Sequence, residues 1–304
     1  GKTYPMDFIR RLFGKKTSPP PDQASTAPLD PNQVPFPYFE ELRRHITTGT
    51  AQSIGVERKK NEDSLLVIVG SADGDDEPPD FGLLCVADGL GGQEHGAAAS
   101  AISVRMLASS LTRGAILDLL ALEPEGQPGS TEDLVRLAMQ QANREVRSRA
   151  EGGASTLTIA LVVGDQVTIG HVGDTRAYLI TEDNIQQLTR DHSLVQELVD
   201  TGTITEEEAL THPQRNVLWN AMGKAIDVKV DVATHTTPAD GYLLLCSDGL
   251  WGVVPDEEIQ ETIIRAANPQ QACEALVAAA NAAGGPDNVT CVTVYFPVQP
   301  STAS

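Results

Sequence analysis

Two segments far apart in the chain follow the same plan. Gly82-Leu83-Leu84-Cys85-Val86-Ala87-Asp88-Gly89-Leu90 and Leu243-Leu244-Leu245-Cys246-Ser247-Asp248-Gly249-Leu250 each run apolar almost without a break and then end in Asp-Gly. A short, continuous apolar run of this kind fits a buried strand. A carboxylate at the strand end, followed by glycine, leaves the Asp oxygens and the Gly carbonyl free to point at one object. Asp-Gly is also a common turn pair, which would explain either segment alone. The recurrence of both after apolar strands favours a pair of sites over a pair of ordinary turns.

Around these segments the pattern alternates between the periods of strands and helices. Residues 65–69, 82–87, 157–163, 167–172, 177–180, 242–246 and 289–295 are short, apolar and often β-branched, and read as strands. Tight turns such as Gly164-Asp165 join several of them, which predicts antiparallel hairpins rather than crossover units. Residues 97–111, 131–150, 257–266 and 269–282 read as helices, with Glu132 and Asp133 at one N-terminus and Pro255 and Pro269 at others. Hairpins and helices in separate blocks predict an α+β fold with stacked sheets and helices outside, as one domain without tandem repeats.

The first 46 residues read differently from the rest. Residues 1–16 hold five basic side chains against one acid, and residues 17–37 are rich in proline, the composition of a flexible tether. Phe8, Ile9, Leu12 and Phe13 would share a helical face able to touch an anionic membrane, but a single short basic segment anchors weakly, so a solvated tail is the preferred reading. No secretory signal and no membrane-spanning run is expected. Cys85, Cys246, Cys273 and Cys291 have neither disulfide nor metal-ligand spacing and read as buried thiols of a cytoplasmic protein. Lys plus Arg number 22 against 42 Asp plus Glu, a net charge of −20, which speaks against a nucleic-acid partner and is compatible with collecting divalent cations.

Further acids stand where strands begin or end: Glu62-Asp63 before the strand at 65, Asp174 between two strands, and Asp287 just before the strand at 289. Carboxylates without a His or Cys cluster suit Mg²⁺ or Mn²⁺ better than zinc. Held close together they would repel one another unless a metal neutralised them. Asp73, Asp75, Asp76, Glu77 and Asp80 lack the spacing of a calcium loop and are expected to form a solvated hairpin tip.

Six motifs then occur in order: residues 58–63, Val86-Ala87-Asp88-Gly89-Leu90-Gly91-Gly92, Gly153-Ala154-Ser155-Thr156, Gly173-Asp174-Thr175-Arg176, Ser247-Asp248-Gly249 and Gly285-Pro286-Asp287-Asn288. In this the chain resembles the bacterial form of the metal-dependent serine/threonine protein phosphatases of type 2C. The resemblance covers about residues 47–297. It implies a central antiparallel β-sandwich flanked by helices on both faces, in four αββα layers. The catalytic domain would span 47–298, with a substrate-selecting flap at about 190–223 and a C-terminal tail at 299–304. It also implies two core Mn²⁺ or Mg²⁺ ions and a third, weaker one.

Carried over by position, Asp63, Asp88, Asp248 and Asp287 would be metal ligands, with the Gly89 carbonyl on one ion and Glu62 supporting a bound water. Asp174 would join Asp248 at the third ion, and Arg58 would fork onto the substrate phosphate. The reaction expected is in-line attack of metal-activated water on phosphoserine or phosphothreonine. Partners would be phosphorylated proteins, including a cognate Ser/Thr kinase and its substrates, and the protein would act as a monomer.

The chain departs from many relatives at Leu90, Gln93 and Ala97. Eukaryotic members place a proposed general-acid His at the Leu90 position, which leaves metal-bound water or His192 to protonate the leaving group here. Two rivals remain at this stage. One is a catalytically silent relative that binds a signalling partner, disfavoured by the intact carboxylates. The other is a metal-dependent phosphodiesterase or nuclease, disfavoured by the acidic composition.

Overall fold

Why the 82–87 and 242–246 segments are apolar on both sides is plain from what lies above and below them. The computed structural model describes residues 44–72, 78–92, 94–121 and 130–299. The strands are β1 (Thr47–Ser53), β2 (Ser64–Gly70), β3 (Phe81–Ala87), β4 (Gly89–Leu90), β5 (Ala154–Ser155), β6 (Leu157–Val163), β7 (Gln166–Val172), β8 (Arg176–Ile180), β9 (Ile185–Gln187), β10 (Asp231–Thr236), β11 (Gly241–Cys246) and β12 (Val289–Phe296). The helices are α1 (His95–Leu111), α2 (Thr131–Arg149), α3 (Leu194–Asp200), α4 (Glu206–Leu210), α5 (Asp248–Trp251), α6 (Asp256–Arg265) and α7 (Pro269–Ala282). A π-turn over Thr112–Ile116 and one more helical turn extend α1.

Two five-stranded antiparallel sheets form, in the orders β1-β12-β11-β8-β9 and β10-β7-β6-β3-β2, with a short β4-β5 pair beside them. Leu84, Val86, Ala160, Val162, Leu243, Leu245, Val292 and Val294 meet between the sheets. The alternate residues of the same strands face outward onto helices: Leu83 and Cys85 with Leu107 and Met139 of α1 and α2, Leu244 and Cys246 with Ile259 and Leu276 of α6 and α7. Successive strand side chains point to opposite faces, so a strand covered twice reads as a continuous apolar run. The α+β expectation and its four-layer αββα order are met.

The departures have physical reasons. β1, β9 and β10 escape the sequence reading because these edge strands lack the apolar run that reveals the remaining edge strand, β2 (SLLVIVG). β1 (TTGTAQS) and β10 (DVATHT) carry polar side chains on their exposed faces, and β9 is three residues long. α3 and α4 are short, α3 half-buried and α4 mostly exposed, and both are held by caps at Ser193 and Thr205. Pro269 opens α7 as expected, whereas Pro255 precedes α6 as its cap. Asp80 does not belong to a solvated tip. It is 4% exposed, accepts from the Ile46 amide at 2.9 Å and bonds His45 Nδ1 at 2.8 Å. Residues 73–77, the N-terminal tail to 43 and residues 300–304 lie outside the described residues. The four cysteines are free and buried.

Candidate metal centre

Strand register brings the acidic motifs to one end of each sheet, and the bonds of Ser247 and Thr290 to Asp63 show that the two ends meet in the sandwich. Ser64 pairs with Ala87, Val86 with Thr158, and Leu157 with Val172, so the start of β2, the end of β3 and the end of β7 lie together. In the other sheet Arg176 pairs with Cys246 and Cys246 with Cys291, so the start of β8, the end of β11 and the start of β12 do the same. Asp63, Asp88, Asp174, Asp248 and Asp287 flank those strand ends.

Each is placed by a specific local device. Asp63 is 8% exposed; its Oδ2 accepts from Thr290 Oγ1 at 2.6 Å and Ser247 Oγ at 2.8 Å. Asp88 is fixed through its backbone, donating to Thr156 Oγ1 at 2.9 Å and accepting from the Thr156 amide at 2.8 Å. Asp174 offers its carbonyl to Trp251 Nε1 at 3.0 Å. Asp248 opens α5, and Gly249 behind it lies against the Asn288 carbonyl too closely for any Cβ. The two Asp-Gly pairs therefore part company: the first enters β4, the second a helix. Asn288 is the hub of the 54–62 loop, donating to the Ile54 and Lys60 carbonyls and accepting from the Glu62 amide at 2.8 Å. Asp287, next to it, accepts from Arg58 Nη2 at 2.5 Å.

Gly89 sits where a Cβ would overlap the Gly96 and Glu62 carbonyls, and the Glu62 carboxylate occupies the space a Cβ on Gly96 would need. Glu62, Gly89 and the first turn of α1 thus form one tightly packed corner. Arg58 is half exposed, and burial, which would lower its pKa, is outweighed by Asp287, Asp248 and Asp88.

The electrostatics call for a cation. Burial pushes the Asp63 carboxyl up to about 6 despite its two hydroxyl donors, and burial with the charge of Asp191 pushes Asp174 up to about 7, opposed by Arg176. Asp88 and Asp248 are driven well above the usual carboxylate range by burial first, then by Asp63, Asp248, Asp174 and Asp287 at Asp88, and by Asp174, Asp287 and Asp63 against Arg58 at Asp248. Asp63 Oδ1 and Asp248 Oδ1 are buried without any hydrogen-bond partner, a costly state for a carboxylate. Orphaned oxygens and an all-oxygen donor set fit Mg²⁺ or Mn²⁺. As the side chains stand, no three acids, His or Cys among the described residues already grip a common point. Carboxylates that repel one another need rotamer shifts to close on an ion. The oxygens' position is tuned by Thr290: Thr290→Val keeps the shape, removes one donor from Asp63, and is expected to weaken Mn²⁺ affinity about tenfold by calorimetry.

His192, one candidate for the leaving-group proton, is wholly buried with both ring nitrogens engaged, by Asp231 at 3.0 Å on one side and by Asn220 and the Gly173 amide on the other. It is not placed to donate to a substrate. The residues that sequence reasoning left without a role are Thr156, Asn288, Ser247, Thr290 and the Arg176–Asp191 pair. The first four and Arg176 lie within or beside the quoted motifs, which was the available signal.

The protein phosphatase 2C family model matches residues 71–280. The chain belongs to that family. It is 37% identical to the serine/threonine phosphatase stp of Listeria innocua over 220 residues, which is 70% of this chain and 83% of that protein. It is 35% identical to the serine/threonine protein phosphatase PstP of Mycobacterium tuberculosis over 239 residues, 78% of this chain and 42% of that longer protein. The crystal structure of the M. tuberculosis phosphatase PstP/Ppp superposes with a TM-score of 0.67 at 30% identity, over 84% of this chain and all of the other. The catalytic domain of PstP in complex with two manganese ions matches with a TM-score of 0.66 at 29% identity, covering 82% of this phosphatase and 97% of that chain. The resemblance carried by the six motifs, and the fold it implied, are thereby established.

Proposed function

We propose that the carboxylates at this end of the sandwich are the catalytic centre of a Mn²⁺- or Mg²⁺-dependent protein serine/threonine phosphatase. The observation that carries this assignment is the convergence of five acids, two with orphaned buried oxygens, at the strand ends of a type 2C phosphatase. Asp63, Asp88, Asp248 and Asp287, with the Gly89 carbonyl, would hold two core ions, and Asp174 with Asp248 a third, weaker one. Divalent ions bound there supply Lewis acidity and a water acidic enough to attack phosphorus at neutral pH.

The chain's own groups prepare that attack. Ser247 and Thr290 hold Asp63 in one orientation, and Thr156 holds the Asp88 backbone. The Arg58 guanidinium presents a planar fork at the edge of the centre, and a substrate phosphate would take over its bond to Asp287. This local cation offsets the repulsion that a chain of net charge −20 exerts on an anionic substrate. Glu62, packed beside Gly89, would accept a hydrogen bond from a water on that side.

Substrates are phosphorylated proteins; a cognate kinase among them, action as a monomer and a place in the cytoplasm extend this reading. No described helix is long and apolar enough to cross a membrane. The domain limits of 47–298, with a flap at 190–223 that selects substrates, belong to the same reading. In the flap, the half-buried α3 and the exposed α4 follow a base where 192–194 meets 217–219. The test is phosphate release from a phosphothreonine peptide during a Mn²⁺ titration with a chelated blank. Saturable, metal-dependent release is expected. Folded protein with no release at millimolar Mn²⁺ would leave the silent, partner-binding relative as the better reading.

A further inference from the structure

The His192 ring joins four separate pieces of chain beneath the flap. Its Nδ1 receives the Gly173 amide at 3.2 Å and Asn220 Nδ2 at 2.8 Å. Since both are donors, Nδ1 is the bare nitrogen, and Nε2–H donates to Asp231 Oδ2 at 3.0 Å. The backbone doubles the contact with Gly173, because the His192 amide donates to the Gly173 carbonyl at 2.7 Å. The ring also meets His171 and Trp219 in tilted contacts, at centroid distances of 4.8 and 4.7 Å. The Trp219 amide returns to the His192 carbonyl at 3.1 Å, and Asn220 bonds the Lys229 carbonyl at 2.8 Å. One side chain therefore ties the entry and exit of the flap to Gly173.

Glycine is the residue this position requires. Its φ is +111°, a conformation that costs an L residue strain, and a Cβ there would collide with Thr156. The next residue is Asp174, whose carboxylate is buried and 6% exposed. The other side of this acid is braced as well. Arg176 forks onto Asp191 with bonds of 2.8 to 3.2 Å and lies 3.6 Å over the Trp251 ring, whose Nε1 donates to the Asp174 carbonyl. Asp191 and His192, adjacent at the flap's base, so grip the 173–176 loop on both flanks.

We propose that His192 is a positioning residue that holds Gly173, and through it the Asp174 carboxylate, in the geometry the weak metal site requires, and that it couples this site to the flap. The proposal rests on the reading of Asp174 as a ligand of the third ion. Its content is a specific atom: the acceptor at Nδ1, not the bulk or the Nε2 side of the ring.

Two substitutions separate those possibilities in the full-length chain. His192→Asn places an amide oxygen near the Nδ1 position, and His192→Gln places its amide near Nε2 and leaves the Gly173 amide without an acceptor. Mn²⁺ binding by calorimetry, thermal melting in chelator, and kcat and KM for a phosphothreonine peptide at graded Mn²⁺ are measured for both. Expected are two tight binding events unchanged in both variants. In His192→Gln the weak event moves to about tenfold higher Mn²⁺, with kcat lowered and KM within about twofold. His192→Asn stays near the parent. In combination with Asp174→Ala, His192→Gln should add little further loss, as expected of two residues acting on one site.

An unchanged weak event in His192→Gln, or equal effects of the two variants, overturns the proposal, as does a full multiplicative loss in the double variant. If Asp174→Ala alone leaves the weak event in place, the assignment of Asp174 falls first, and that result is distinct from any obtained at His192. Variants that only melt earlier, with the Mn²⁺ isotherm intact, would make His192 a packing residue and nothing more.

Discussion

Asp248→Asn is expected to cut turnover on the order of a thousandfold, about 4 kcal/mol of barrier, and at the same time to raise the melting temperature of the metal-free protein. Both effects follow from the same carboxylate. Asp248 lies among Asp174, Asp287 and Asp63, its Oδ1 is buried without a partner, and its charge is disfavoured by burial and by those neighbours. The amide keeps the size and one oxygen but removes the charge that would hold ions there. In chelator the mutation relieves repulsion instead, which stabilises the fold by a few degrees. Phosphate release and thermal melting with and without Mn²⁺ report the two sides. A variant that retains a tenth of parental activity would take Asp248 out of the centre.

The stabilisation of this phosphatase by Mn²⁺ is expected to grow steeply between about pH 4 and pH 7. Asp63 and Asp174 are raised from 3.8 to about 6 and about 7, and Asp88 and Asp248 are raised as well. For an acid whose folded pKa lies above its unfolded value, the folded state binds more protons across that interval. Stability therefore falls as pH rises, with the loss complete once the folded pKa is passed. Bound ions demand the deprotonated form and remove that loss, so the gap between melting curves with Mn²⁺ and with chelator widens with pH. His171 works in the opposite sense: burial, then His192, lowers it to about 3, so its contribution rises with pH over much of the same range. The difference between the two curves cancels it. Calorimetry near pH 6 in buffers of different ionisation enthalpy should also detect protons released on Mn²⁺ binding. A gap that is flat from pH 4.5 to 7.5 would mean the acids are already charged and separately compensated.

How much of this was legible in advance depends on distance along the chain. β3 and β11 announce themselves because each is covered by a sheet on one side and helices on the other, and that double burial is written as uninterrupted apolar residues. The Asp-Gly pairs and Gly173-Asp174 are equally local, since each needs only a strand boundary and a glycine beside it, and Glu62-Asp63 needs only the strand boundary. β1 and β10 are silent, because these edge strands carry polar side chains towards water, whereas the edge strand β2 keeps an apolar run and was legible. The Asp73–Asp80 reading failed at Asp80 for a related reason: its partners, His45 and Ile46, are not its neighbours in sequence.

The sequence by itself determined the stacked sheets with helices outside, the family and which acids are candidates for the site, because local burial, strand ends and short motifs leave their mark within a few residues. Tertiary structure alone decided that Asn288 organises the 54–62 loop, that Arg58 lies on Asp287 and that His192 is a clamp rather than a proton donor. Those contacts join residues tens to hundreds of positions apart. They are set by the register of paired strands and by which buried donors remain to be satisfied after the sheets have closed.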